Sequence, residues 1–232
     1  MSSPFPLPSA QPAAGSIAGS PNRVLRNTYA LLALSMVPTV LGAWIGVAFG
    51  FTFFAANPGI GFLVFLAAAM GFFFAIEKTK NSGWGVVWLL AFTFFMGLML
   101  SRLLTVVLGL GNGVALISLA FGGTAVVFAA MATAAATIKR DISWMGKALF
   151  IGAVLLLVAA FANIFLQLPA LMITICVLAI GIFSAFLLYD LNRVITGGET
   201  NYVSATLAIY LDVYNVFTNL LALLGLTGGS RD

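Results

Sequence analysis

The sequence predicts an all-α integral membrane protein, a bundle of seven transmembrane helices. The chain is 62% hydrophobic and only 7% charged, with a mean hydropathy of +1.14. A soluble domain would carry about a quarter charged residues. Seven apolar runs divide the chain, each near the 20 or so residues that cross about 30 Å of hydrocarbon. They are predicted at Thr28–Phe51, Pro58–Ile76, Trp84–Leu108, Val114–Ile138, Ser143–Phe165, Pro169–Leu191 and Tyr202–Leu226.

The segments outside and between these runs have their own signatures. Residues 1–22 hold Pro4, Pro6, Pro8, Pro12 and Pro21, five serines and no charge. Such a stretch cannot bury enough apolar surface to offset the entropy of ordering, so a disordered cytoplasmic tail is expected ahead of a membrane domain at 23–232. Asn57-Pro58 separates the first two spans, and Gln167 to Pro169 separates the fifth from the sixth. The second join reads as a tight helix-to-helix turn, since proline suits the first turn of a helix. The fourth span is rich in small residues, among them Gly122, Gly123, Ala129, Ala130, Ala132 and Ala134 to Ala136. In lipid such residues permit close backbone approach, so this span is expected to pack tightly.

The basic residues set the orientation through the positive-inside rule. Arg23 and Arg26 precede span one, Lys78 and Lys80 follow span two, Lys139, Arg140 and Lys147 follow span four, and Arg193 follows span six; only Arg231 falls on the other side. The amino terminus is therefore expected in the cytoplasm and the carboxyl terminus outside. Arg102 stands apart, about 27 Å along the third span at 1.5 Å per residue, where a long side chain snorkels to the outer interface.

Several function classes drop out on composition. The net charge of +4 follows the loops, with no basic face for nucleic acid. With no histidine the commonest general base and metal ligand is absent. The lone Cys176 offers neither a disulfide framework nor a thiolate cluster, and no cofactor motif is present. An intramembrane aspartyl dyad is the one hydrolytic arrangement left conceivable, and the chain is not expected to be an enzyme.

Two carboxylates stand out against this background. Asp190 closes the sixth span and Asp212 sits about ten residues into the seventh. An ionisable group in hydrocarbon costs about 2.5–3.5 kcal/mol on insertion scales and is usually retained for a pathway, a relay or a counter-ion. In the seventh span Ala205, Ala208, Asp212, Asn215, Asn219 and Ala222 share one helical face, flanked by Tyr210 and Tyr214. That polar stripe belongs in the bundle interior. Asp190 and Asp212 are the candidate proton- or cation-sensing pair, with Asn192, Arg193, Tyr214, Asn215 and Asn219 as supporting polar residues. If the two carboxyls meet they titrate as a unit and offer oxygen ligands to a hard cation such as Ca2+. By helical rise their depths differ by about 10 Å, so an irregular loop or a tilt is required to bring them together. Otherwise Asp190 is interfacial, capped by Arg193 or Asn192, and Asp212 joins helices through Asn215.

The combination of motifs resembles a known family. Tyr189-Asp190-Leu191-Asn192, Gly197-Gly198-Glu199-Thr200-Asn201-Tyr202, Tyr210-Leu211-Asp212 and Tyr214-Asn215 are similar to the carboxyl-terminal signature of the Bax inhibitor-1 (transmembrane Bax inhibitor motif) family. Phe121-Gly122-Gly123-Thr124, Lys139-Arg140-Asp141 with Ser143, and Ala162-Asn163-Ile164-Phe165 add to it. The resemblance covers about residues 23–229. Val24 to Tyr29 and Asn163 to Leu171 resemble its bacterial YccA branch. It implies a seven-helix fold with a central last helix, a place in the bacterial inner membrane and a role as partner and modulator of the membrane protease FtsH. Other bacterial members imply the alternative, a pH-sensitive calcium leak gated by an aspartate pair that matches Asp190 and Asp212. The chain departs from the leak-type pattern at two places. Glu77 falls near the position of an arginine partner for the pair, and Arg102 stands where proline is common in the third helix.

Overall fold

The computed structural model describes residues 21–50, 58–138, 140 and 142–228, and in them the chain forms seven helices and no strand. They are α1 (Pro21–Ala48), α2 (Pro58–Thr79), α3 (Gly83–Leu108), α4 (Gly113–Thr137), α5 (Met145–Leu166), α6 (Pro169–Thr196) and α7 (Tyr202–Gly228). All seven are long and apolar enough to cross a membrane. The expected tail falls on residues 1–20, outside the described residues, except that Pro21 and Asn22 already belong to α1. Pro21 suits a first helical turn, and the polar residues behind it extend the helix beyond its apolar run.

The architecture is a ring of helices around α7, which touches every other helix except α5. The polar stripe explains this placing. A helix carrying Thr206, Tyr210, Asp212 and Tyr214 satisfies or shields those groups only with protein on several sides. α1 lies along α3, α6 along α7, and α4 leans on both α6 and α7. The α5 helix has no fully buried residue and packs on α6, with a lesser contact to α2. Its Phe150, Ile151, Leu155 and Val158 point outward, as lipid-facing side chains do.

The tightest approach is between α1 and α3. A Cβ added at Gly97 would collide with the Thr39 carbonyl, and one at Gly42 with the Phe94 carbonyl. These reciprocal glycines let two backbones touch, the packing mode expected in lipid. The small residues of α4 are only partly used for this. Ala135 is buried, but Gly122, Ala129, Ala130 and Ala136 face outward and Gly122 has open space around it. Composition revealed the small residues, whereas their distribution around the helix decided which of them pack.

Two joins matter for the site. Between α5 and α6, Gln167 takes a left-handed conformation (φ 52°) and the Leu168 amide donates to Asn163 Oδ1 at 3.0 Å, after which Pro169 opens α6. This is the tight turn expected there. At its other end α6 continues to Thr196, five residues beyond the predicted end, and stops at Gly197 with φ 81°. The sequence Asn192-Arg193-Val194 is polar in part yet compatible with a helix, and the glycine is what terminates it.

Candidate functional site

The longer α6 brings the two acids together. Asp190 lies six residues before the end of α6, and Asp212 lies ten residues after the start of α7. These offsets correspond to depths of about 9 Å and about 15 Å along antiparallel neighbours, a gap that two side chains close. Their carboxyl groups come within hydrogen-bonding reach of each other. Asp212 is 4% exposed, and no N–H or hydroxyl donor among the described residues reaches its Oδ2. Asp190 is the ionisable neighbour that the Asp212 carboxyl faces. No irregular loop is needed, because regular helix extends beyond both residues.

Arg193 follows Asp190 by one turn of α6. Its Nη1 lies 3.8 Å from Asp190 Oδ1, and its Nη2 lies 3.6 Å from Glu199 Oε2 on the α6–α7 loop. The guanidinium also sits 5.6 Å from the Tyr189 ring centroid. Asn192 points elsewhere. Fully buried, it donates from Nδ2 to the Ile138 carbonyl at 2.9 Å and thereby holds the end of α4 against α6. Of the two residues expected to cap Asp190, only Arg193 does so.

The remaining polar residues of the α7 stripe serve that helix or its other neighbours. Asn215 Nδ2 donates to the Leu211 carbonyl and Asn219 Nδ2 to the Asn215 carbonyl, both at 2.8 Å and both within α7. Both amide groups thus donate within their own helix and not to the acidic pair, as an asparagine in a helix readily bonds the carbonyl four residues back. Tyr214 donates to the Met96 carbonyl of α3 at 3.0 Å. The Tyr210 hydroxyl is 2.9 Å from the Thr39 hydroxyl of α1. The two tyrosines thus seat α7 against α1 and α3, on another side from Asp212.

Glu77, near the position where the family resemblance implies an arginine partner, is exposed and paired with Lys80. The guanidinium near Asp190 comes from α6 instead. Arg102 is exposed on α3 and has no ion pair among the described residues. The sequence reading missed Glu199 and Asn201 as parts of the site. Asn201 Oδ1 caps α7 by accepting from the amides of Val203 (2.9 Å) and Ser204 (3.1 Å). Its Nδ2 reaches across to Asn81 Oδ1 (2.9 Å) and the Lys80 carbonyl (3.2 Å) in the α2–α3 turn. The available signal was an asparagine just ahead of an apolar run, the ordinary mark of an N-cap.

The donor set limits the metal chemistry. Among the described residues no group of three His, Cys, Asp or Glu is placed to hold a metal ion. Two carboxylates fall well short of the six to eight oxygens a resident calcium takes.

Comparison with known proteins assigns the seven-helix chain to a family. Residues 21–229 match the family described as Inhibitor of apoptosis-promoting Bax1. The chain belongs to this family, the Bax inhibitor-1 family. It is 39% identical over 207 residues to an uncharacterized protein of Neisseria meningitidis, covering 88% of this chain and 91% of that one. It is 38% identical over 213 residues to the Escherichia coli modulator of FtsH protease YccA, covering 92% and 93%. An uncharacterized protein of Pseudomonas aeruginosa is 36% identical over 206 residues, covering 89% and 90%. This Bax inhibitor-1 family member is a multi-pass membrane protein related to YccA.

Proposed function

We propose that this chain is an inner-membrane modulator of an FtsH-type protease, acting without enzymatic activity of its own. The observation that carries the reading is its likeness to the Escherichia coli modulator over more than nine-tenths of both chains. The amino terminus lies in the cytoplasm, supported by the basic residues at one end of the bundle. The partner is the protease within the same bilayer. Co-purification of full-length protein with FtsH from detergent-solubilised membranes, and the turnover of a membrane substrate with and without the chain, test it. Absence of both effects refutes it.

A second reading is favoured by the contact between Asp190 and Asp212. Carboxyls that meet out of water titrate as a pair, and the packing of α6 on α7 then depends on protons and cations. On this reading the protein is a pH-sensitive leak for calcium or another cation. Calcium flux into liposomes should depend on pH, and Asp190→Asn and Asp212→Asn should each change that dependence. Flux that is absent, or indifferent to both changes, refutes it.

A further inference from the structure

Polar contacts continue outward from the acidic pair, beyond what either functional reading requires. Asp212 meets Asp190, and Asp190 meets Arg193. Arg193 also meets Glu199, whose Oε1 accepts from the Asn201 amide at 2.8 Å. Asn201 in turn holds Asn81 and the Lys80 carbonyl. The Glu199 amide also donates back to the Arg193 carbonyl at 3.1 Å. A buried pair is thus linked, through one guanidinium and one short loop, to a turn between two other helices.

We propose that Arg193 is a positioning residue shared between the pair and the loop, with Glu199 as its second anchor, so that the α6–α7 loop stays docked on the α2–α3 turn only while Arg193 holds both carboxylates. This rests on the reading of Asp190 and Asp212 as a sensing pair and names how their state reaches the surface. Arginine suits the role because the two nitrogens of its planar fork lie toward two separate carboxylates at ion-pair distance, which a single ammonium on a flexible stem does less well. Asn201 makes the docking specific, since one side chain both caps α7 and grips the turn. Glu77 and Lys80 form their own exposed pair, in which only the Lys80 carbonyl belongs to the linkage.

The test reads loop position directly. Nitroxides are placed on Lys78→Cys, near the end of α2, and on Thr200→Cys, in the α6–α7 loop, both exposed positions, in a Cys176→Ala background. The full chain is reconstituted in phospholipid vesicles, and interspin distances are measured by electron paramagnetic resonance. The unaltered network should give one narrow distribution, with any undocked state at about 10% or less. Arg193→Gln, Glu199→Gln and Asn201→Ala should each make a longer distance a major population. Combining Arg193→Gln with Glu199→Gln should add nothing, because both break the same link. Asp190→Asn should shift the distribution in the same direction, and Glu77→Gln should leave it unchanged. If Arg193→Gln does not purify intact, Arg193→Lys replaces it and should still populate the longer distance. Unchanged distances in the Arg193 and Glu199 variants, additive effects, or an equal change in Glu77→Gln overturn the proposal. The measurement needs neither ion flux nor protease. Coupled distances without flux refute the leak alone, and flux sensitive to Asp190 with fixed distances refutes the linkage alone.

Discussion

Replacing Gly97 by alanine should destabilise the bundle, and the structure supplies the size. The added methyl would sit 2.9 Å from the Ala43 amide nitrogen and closer still to the Thr39 carbonyl oxygen, whereas ordinary contact begins near 3.4 Å. These are backbone atoms of a paired helix, so no side-chain rotation relieves the overlap and α1 must move away from α3. Overpacking of this kind costs about 1–3 kcal/mol. At about 2–4 °C per kcal/mol for a chain of this length, the midpoint of thermal unfolding in detergent should fall by roughly 2–12 °C. The same substitution at Gly122 is the control, because a methyl there meets nothing within 4 Å. Any gain in helix propensity, about 1 kcal/mol for Gly→Ala, is common to both, so the difference between them isolates the close approach. The consequence reaches α7, since the Thr39 hydroxyl and the Met96 carbonyl meet the hydroxyls of Tyr210 and Tyr214. Equal midpoints for the two variants would refute the reasoning.

Other outcomes follow from named contacts. Tyr210→Phe and Thr39→Val, combined in a double-mutant cycle on thermal stability, should show a coupling near 0.6 kcal/mol, the usual size for a hydrogen bond between membrane helices; a coupling of zero would deny the 2.9 Å contact a role in stability. Asn201→Ala should cost about 1 kcal/mol or somewhat more, since it removes an N-cap together with the bridge to the α2–α3 turn; amide exchange at Val203 and Ser204 should quicken, and unaltered exchange would contradict the cap. Glu77→Gln should shift stability by less than about 0.5 kcal/mol, because an exposed pair contributes little, and a larger loss would mean that Glu77 has a partner besides Lys80.

The site was legible in part. A carboxylate at Asp212 in an apolar run, on a face shared with other polar residues, could be recognised from residue order alone, because helical periodicity and the cost of charge in lipid are local arguments. The end of α6 was placed too early, since a hydropathy boundary marks where lipid ends and not where a helix stops. Those five extra residues narrow the apparent depth mismatch between Asp190 and Asp212 from about 10 Å to about 6 Å. Asn215 and Asn219 show the opposite limit. Their spacing put them on the face of Asp212, but their amides turned back to their own helix. Spacing gives a side chain's azimuth; it does not choose between a neighbour and the carbonyl one turn back.

What the order of residues determined alone was the number of membrane helices, the clustering of basic residues in alternate loops and the polar face of the last helix. Each follows from transfer energies that depend on composition and period, whatever the neighbours. Tertiary structure alone decided that Asp190 meets Asp212, that Arg193 and not a residue of α2 stands beside Asp190, and that α1 and α3 are the helices that touch through glycine. Those outcomes depend on the relative height and rotation of packed helices, which arise from contacts between residues far apart in the chain.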